Sequence, residues 1–404
     1  MRQIRIVLPI LFISLMHSVA NAQMPAPVYS TADSGVRVYF GATVKMLTSY
    51  SPRRTMPGYG ANYILLPRDG SGVENTFDIT ARASNLYFSV TGPRVGGFTL
   101  GGKIFAYLTK DVSSPSYGLL PGLLYMEAKN EKWRFSAGQQ TDVFAQRIPN
   151  MIDGYFALAA AGCAGNSSRG QLRAERYLPA GEKGKVTLTL AAAQPVTNYY
   201  SSDLRNNSAN RGVPNLEWSL KFQSGSDPEA WVPWDAFEAA ISGVAGSYRI
   251  YKNDTLGGVI VNKGINTPAV RGYAGEFAFR TGKRFGIQGE IYTGQALGNY
   301  MGAIMQTTKG PKDNEVRSTG WWVEGAMFWK RNIQSRIGYG TDRCRKEDLI
   351  GGGFLSNSTV FGNVIWDINR SLSLGFETTY KSTKYVGLSD NRGMTYMAMV
   401  QYSF

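Results

Sequence analysis

Charged and amide side chains recur at every second position in short segments of this chain. In the run RGQLRAERY, Arg169, Gln171, Arg173 and Glu175 alternate with small or apolar residues, and Arg134 takes the same position in WRFSAGQQT. Alternate residues of a β-strand share one face, so each segment predicts a strand with one polar face. The planar guanidinium of arginine pairs well with carboxylates, so such a face could attract small carboxylate anions.

The same alternation places both signs of charge on the polar face of the predicted strands, with a basic excess in the first half. The set comprises Arg82, Lys103, Arg134, Arg169, Arg173, Lys221 and Arg336, together with Glu175, Glu217, Glu276, Glu290 and Glu324. Where such strands enclose a narrow passage, a lining with one sign of charge concentrates ions of the opposite sign in it. We therefore expect a preference for small anions, carboxylates above all. In the alternative interpretation the arginines only brace the sheet by pairing with the glutamates, and the excess charge binds surface lipopolysaccharide.

Residue usage argues against most catalytic and metal chemistry. The only histidine, His17, lies in a segment predicted to be cleaved, which excludes Ser-His or Cys-His catalysis and zinc held by histidine. The only cysteines, Cys163 and Cys344, could form a disulfide in an oxidising compartment or remain free thiols. We expect no metal, no cofactor and no enzyme activity, although the sequence leaves a mechanism based on Asp or Glu open.

The N-terminus predicts export. Residues 1–22 carry Arg2 and Arg5, an apolar run from Ile6 to Met16 and small residues up to Ala22, which is the pattern of a cleaved secretory signal peptide. Residues 23–34 predict a flexible leader, and residues 35–404 a single β-barrel domain without a linker. The formal net charge of +14 would suit nucleic acid, but export and the spread of basic residues through the strands argue against that partner.

The elements that must position these side chains are strands. Aromatic and apolar residues alternate with polar ones, the connections alternate between short and long, and the last stretch, Arg392 to Phe404, ends on an aromatic residue. This pattern predicts a transmembrane up-and-down antiparallel β-barrel of about sixteen strands, which encloses a water-filled lumen. The apolar residues change from odd-numbered to even-numbered positions near Ser84 and Asn85, which predicts a β-bulge there. The predicted strands are 36–49, 77–91, 98–110, 119–128, one from 133, 169–177, 185–193, 215–222, 236–251, 270–280, 285–293, 316–330, 333–340, 360–368, 371–381 and 392–404.

Two connections have unusual content. The third long loop, from about Asp142 to Ser168, mixes apolar and small residues, which predicts a loop folded into the barrel with Ile148, Met151, Tyr155 and Phe156 against the inner wall. The alternative is a surface loop or a loop that contacts a partner. A disulfide between Cys163 and Cys344 could fasten such a loop. The connection 225–234 carries two tryptophans, which predict a position in an interfacial aromatic belt.

The first half of the chain resembles the DcaP-like trimeric porins of Gram-negative bacteria. The resemblance lies within residues 36–195, in the segments YFGATVKMLTSY, ITARASNLYFSVTGP, WRFSAGQQTDVF and SSRGQLRAERY. The second half matches only in the spacing of its predicted strands. The resemblance implies a sixteen-stranded trimer, a third loop that narrows the pore, and uptake of negatively charged small molecules. If the matching positions keep the role that they have in this family, the residues near the constriction would be Arg82, Arg134, Gln140, Arg169, Gln171 and Arg173. The leader is too short for the coiled coil of some family members.

These observations together predict a passive outer-membrane porin that prefers small anions. The residues expected to line the pore or its constriction are Arg82, Lys103, Arg134, Gln140, Arg169, Gln171, Arg173 and Glu175. Expected partners are outer-membrane lipid, lipopolysaccharide, small anionic solutes and two further copies of the chain, without nucleic acid. The alternative is a structural or adhesive outer-membrane barrel whose lumen is plugged by the third loop.

Overall fold

The computed structural model describes residues 29–30, 35–55, 64–67, 75–110, 117–153, 160–165, 167–195, 212–256, 259–308 and 314–404. The predicted signal peptide and most of the predicted leader lie outside the described residues. Among the described residues, no helix is long and apolar enough to cross a membrane. In the described part of the chain, three 3₁₀ helices lie in the connections between strands: Leu297–Tyr300, Ala303–Met305 and Lys346–Asp348.

Antiparallel strands form nearly all of the regular structure. They are β1 (Tyr29–Ser30), β2 (Arg37–Ser51), β3 (Thr76–Thr80), β4 (Asn85–Val95), β5 (Phe98–Lys110), β6 (Tyr117–Lys129), β7 (Trp133–Thr141), β8 (Ser168–Ala180), β9 (Gly184–Ala193), β10 (Asn215–Ser224), β11 (Phe237–Ser247), β12 (Ile250–Leu256), β13 (Val259–Asn266), β14 (Ala269–Thr281), β15 (Phe285–Gln295), β16 (Arg317–Lys330), β17 (Ile333–Cys344), β18 (Phe354–Asp367), β19 (Leu372–Tyr385) and β20 (Asn391–Ser403).

Seventeen of these segments form a closed barrel of sixteen strands, as the sequence predicts. In it β3 and β4 act as one interrupted strand, and each barrel strand pairs with the next barrel strand along the chain, so that β11 pairs with β14. The barrel closes because β2 pairs with β20, from Thr43 opposite Ser403 to Tyr50 opposite Tyr396. Closure leaves the barrel without a free sheet edge. Strand β1 is an extra segment paired with β2, and β12 and β13 form a separate hairpin.

The predicted bulge is confirmed at the break between β3 and β4. On β2, Thr43 lies opposite Asn85 and Leu47 lies opposite Thr80, so four steps along β2 face five steps along the partner. One extra residue is what a β-bulge inserts, and it switches the parity of the apolar side chains.

The two faces of the barrel wall differ in polarity. On β19 the apolar side chains of Phe376 and Tyr380 are exposed on the outside, whereas Glu377, Thr379 and Lys381 are buried on the inside. This period of two follows from the pleat of the strand and repeats around the barrel. Connections of two to four residues, such as 130–132 and 282–284, lie at one end of the barrel, called here the short-turn end; the long loops lie at the other.

Candidate functional site

The third loop, residues 142–167 between β7 and β8, lies against the polar inner face of the wall in its described parts, 142–153, 160–165 and 167. Its backbone N–H groups donate hydrogen bonds to carboxylates on six different strands. The bonds run from Val143 to Glu217 (2.6 Å), Gln146 to Glu276 (3.1 Å), Asn150 to Glu324 (2.5 Å), Ile152 to Glu377 (2.7 Å), Gly162 to Asp342 (2.9 Å) and Ala164 to Glu290 (2.9 Å).

These hydrogen bonds engage six acidic side chains of the inner wall. Of the six carboxylates, the five other than Glu276 are at most 2% exposed, so solvent in the lumen hardly reaches them. A carboxylate that accepts backbone N–H bonds is stabilised without a cationic partner, and the N–H groups are satisfied in turn. The loop therefore covers negative charge on the β10 to β19 side of the barrel.

Apolar contacts complete the docking of the third loop. Ile152 packs with Leu47, Met397 and Met399, which lie on the inner faces of β2 and β20. Ile148 and Met151 are buried, as the sequence predicts. Tyr155 and Phe156, predicted to share this burial, lie outside the described residues.

Arg169 fixes the start of the loop. Its Nε donates to Asp142 Oδ1 (2.5 Å), one Nη donates to Asp142 Oδ2 (3.1 Å) and to the carbonyl of Asn299 (2.8 Å), and its guanidinium lies 3.9 Å from the ring centroid of Tyr300. The side chain is almost fully buried. Arg169, expected at the constriction, is therefore engaged by the protein itself and offers no free guanidinium to a solute.

Arg134, Gln140 and Glu175 of the predicted set do come together. Arg134 donates to Glu127 (2.6 Å), Glu175 (2.6 Å) and Gln140 (3.2 Å) on the inner faces of β6, β7 and β8. Beside them, Arg173 donates to Gln171 Oε1 (2.7 Å) and to the backbone carbonyl of Thr141. All are buried, so the bracing alternative describes Arg134 and Arg173 better than an open constriction does.

Arg82 and Lys103 are less enclosed. Arg82 bridges Asp78 (3.0 Å) and Asp153 of the third loop (3.2 Å). The Nζ of Lys103 on β5 lies 5.2 Å from the ring centroid of Tyr87. Lys185 on β9 lies 5.6 Å from the centroid of Tyr177, so the pairing of a basic group with a tyrosine recurs on the wall.

Both cysteines are free thiols, so the disulfide that the sequence left open is not formed. Cys163 packs with Ile148 and Trp322. Cys344 packs in a different cluster and contacts Ala303 and Gln306. Burial raises the pKa of the Cys163 thiol well above its ordinary value, which keeps it protonated. The described residues also contain no group of three or more His, Cys, Asp and Glu side chains that could hold a metal ion.

The expectation that both tryptophans of the 225–234 connection lie in an interfacial belt is wrong for Trp234. Val232 and Trp234 are 1% and 4% exposed and pack with Ala278, Ala326 and Phe328. Those three residues have the inward parity of Glu276 and Glu324, so the connection folds into the barrel mouth. A tryptophan ring packs favourably on any apolar surface on which its N–H can still form a hydrogen bond. The local sequence therefore does not tell whether that surface is lipid or a recess in the barrel wall.

Several solved structures share this architecture. The outer membrane channel DcaP of Acinetobacter baumannii matches with a TM-score of 0.69 at 15% identity, over 94% of this chain and 100% of that one. An anion-selective porin from Comamonas acidovorans matches with a TM-score of 0.59 at 9% identity, over 91% and 100%. A trimer form of OmpT of Vibrio cholerae matches with a TM-score of 0.55 at 11% identity, over 91% and 99%.

The fold is therefore that of the outer-membrane porins. Within that class, the resemblance to DcaP-like porins noted in the sequence is supported by the similarity in fold to DcaP itself. No protein-family model matches the chain, and comparison with curated protein sequences gives no match.

Proposed function

We propose that the chain is an outer-membrane porin for passive diffusion of small hydrophilic solutes, with a preference for anions such as carboxylates. The observation that carries the proposal is the capping of six wall carboxylates by the third loop. The loop shields these six carboxylates from solvent on one side of the lumen, while the partly buried Arg82, which is paired with Asp78 and Asp153, and Lys103 lie on the other side. A passage with a net basic lining concentrates anions.

The location and assembly follow from the same proposal. The chain would lie in the outer membrane of a Gram-negative bacterium after cleavage following Ala22, with the short turns in the periplasm and the apolar outer wall in lipid and lipopolysaccharide. A homotrimer is supported by the trimer form of OmpT, which shares the fold. Arg82 and Lys103 would face the solute, and Arg134, Gln140, Arg169, Gln171, Arg173 and Glu175 would hold the wall and loop in place.

Reconstitution into a planar bilayer tests the proposal. We expect steady conductance in steps of three and a reversal potential in a KCl gradient that favours chloride. Lys103→Gln should shift the reversal potential towards cations, and Lys132→Gln on the exposed 130–132 turn serves as the matched control. Cation preference of the unmodified channel would overturn the proposed selectivity.

A plugged structural or adhesive barrel is the second candidate. Its support is an apolar cluster that joins the first, third, sixth and seventh long loops through Ile64, Met151, Ile304 and Leu349. Absence of conductance from correctly folded protein in the same bilayer would favour this candidate over the porin.

A further inference from the structure

The 225–236 turn between β10 and β11 differs from every other connection at the short-turn end. It has twelve residues, whereas the other connections described at that end have two to four. Its middle folds back into the barrel, where Val232 and Trp234 are almost completely buried. A turn that only joined two neighbouring strands would need neither this length nor this burial.

The inner wall has a recess that fits this turn. Small residues occupy inward positions on three adjacent strands, namely Ala278 on β14, Gly286 on β15 and Ala326 on β16. A Cβ atom added at Gly286 would lie 2.4 Å from Cζ3 of Trp234, so only glycine leaves room for the indole. Phe328 closes the recess beside the indole.

Arg280 latches the turn to the wall. Its guanidinium donates to the carbonyl oxygens of Trp234, Gly225 and Gly282, each at 2.9 Å. The backbone N–H of Trp231 donates to the carbonyl of Lys283 at 2.8 Å. The turn is therefore held inside the barrel mouth by both apolar packing and hydrogen bonds.

The latched turn joins a charged cluster that also holds the third loop. The backbone N–H of Asp235 donates to Glu238 (3.3 Å), and the other carboxylate oxygen of Glu238 binds Lys221 (2.9 Å) and Arg147 of the third loop (2.6 Å). Lys185 flanks this cluster on the inner face of β9. Among the described residues, no carboxylate lies within ion-pair distance of Lys185, a partly buried residue whose Nζ lies beside the ring of Tyr177.

We propose that the 225–236 turn forms a second constriction at the periplasmic mouth of the pore and that Lys185 binds the carboxylate of a passing anionic solute there. The inference rests on the proposed porin function and adds a second site to it. The turn narrows the mouth because it occupies inner-wall positions on β14, β15 and β16. Lys185 supplies the charge because its neighbour Lys221 is already paired with Glu238.

Single-channel recording with malonate as a dicarboxylate blocker of chloride current tests the inference. Lys185→Gln should weaken malonate block by about tenfold, the usual effect of losing one charge-assisted hydrogen bond. The loss should be larger when malonate is added on the short-turn side. Lys132→Gln, an exposed residue at the same end, should leave the block unchanged.

A second variant tests the constriction independently. Val232→Ala combined with Trp234→Ala empties the recess and should increase single-channel conductance, with folding checked by the heat-dependent shift in gel mobility. Because Lys185 takes no part in the latch, its variant remains informative if the double variant fails to fold. If the unmodified protein conducts with anion preference and both variants behave like it, the second constriction is refuted while the porin function stands. If the unmodified protein does not conduct, the porin function itself fails.

Discussion

The ion pair between Arg169 and Asp142 is the most enclosed charged contact of the third loop. The side chains are 1% and 0% exposed, and two hydrogen bonds join them. Removing one partner leaves the other charge buried and unpaired, which typically costs about 3–5 kcal/mol. We therefore expect Arg169→Met to lower the free energy of unfolding by that amount in urea titrations of the detergent-solubilised protein.

An exposed ion pair provides the matched control. Arg331 and Glu229 lie 3.1 Å apart, but their side chains are 69% and 63% exposed. Arg331→Met should change stability by no more than about 1 kcal/mol, because solvent screens such pairs. Equal effects of the two substitutions would show that Arg169 is not buried as described. The double variant Asp142→Asn with Arg169→Met should recover part of the loss, because neither charge is then left alone.

At the residue scale the sequence predicts which way a side chain points but not what it binds. Alternation correctly placed Arg134 and Glu175 on the inner face, because the period of two is a local property of a strand. The bond from Arg134 to Glu127 and Glu175 depends on the register of three strands, which local pattern does not specify. For the same reason the role of Lys185 beside the 225–236 turn could not be foreseen.

In the proposed channel, the third loop is the element that covers the largest set of wall carboxylates. Glu324 accepts hydrogen bonds from both the backbone and the side chain of Asn150, and Glu377 accepts one from Ile152. Replacing both acids by alanine leaves buried N–H groups unsatisfied at roughly 1–3 kcal/mol each. We expect Glu324→Ala with Glu377→Ala to give noisier current and a larger mean conductance in single-channel recordings. The double glutamine variant retains acceptor oxygens and should stay closer to the unmodified channel; identical traces from both would contradict this docking.

The seventh long loop is held by a contact that depends on pH. Asp348, in the 3₁₀ helix Lys346–Asp348, accepts bonds from Arg317 Nε (2.8 Å) and Nη (2.7 Å). These hydrogen bonds lower the pKa of Asp348 below its ordinary value of 3.8. A lowered pKa means that the contact stabilises the loop above that value and is lost as the pH falls through the folded-state pKa.

A spin label at Lys346→Cys would report this release, because Lys346 is exposed and both native thiols are buried. We expect label mobility to rise only below about pH 4. In Asp348→Asn it should be high at every pH. Mobility that changes near neutral pH would assign the transition to another group.

At the element scale the strands were predictable and the loop contacts were not. Strand β19 (Leu372–Tyr385) contains the predicted segment 371–381 almost entirely, because its alternation is regular. The predicted inward position of the third loop rested on its apolar content alone. Its actual anchors are acids on strands up to 225 residues away, as between Ile152 and Glu377, and no local signal reports such distances.

Closure of the barrel is a property of the whole molecule, and it depends on β20. This strand pairs with β19 on one side and β2 on the other, and Phe404 and Ala42 exchange backbone bonds of 2.8 and 3.0 Å. Removing residues 391–404 would leave two long strands with unpaired edges, which favour aggregation. We expect the truncated chain to lose the heat-dependent shift in gel mobility that marks a closed barrel. Phe404→Ala keeps the backbone bonds and should still close; a truncated chain that shows the full shift would mean that β2 and β19 can pair directly.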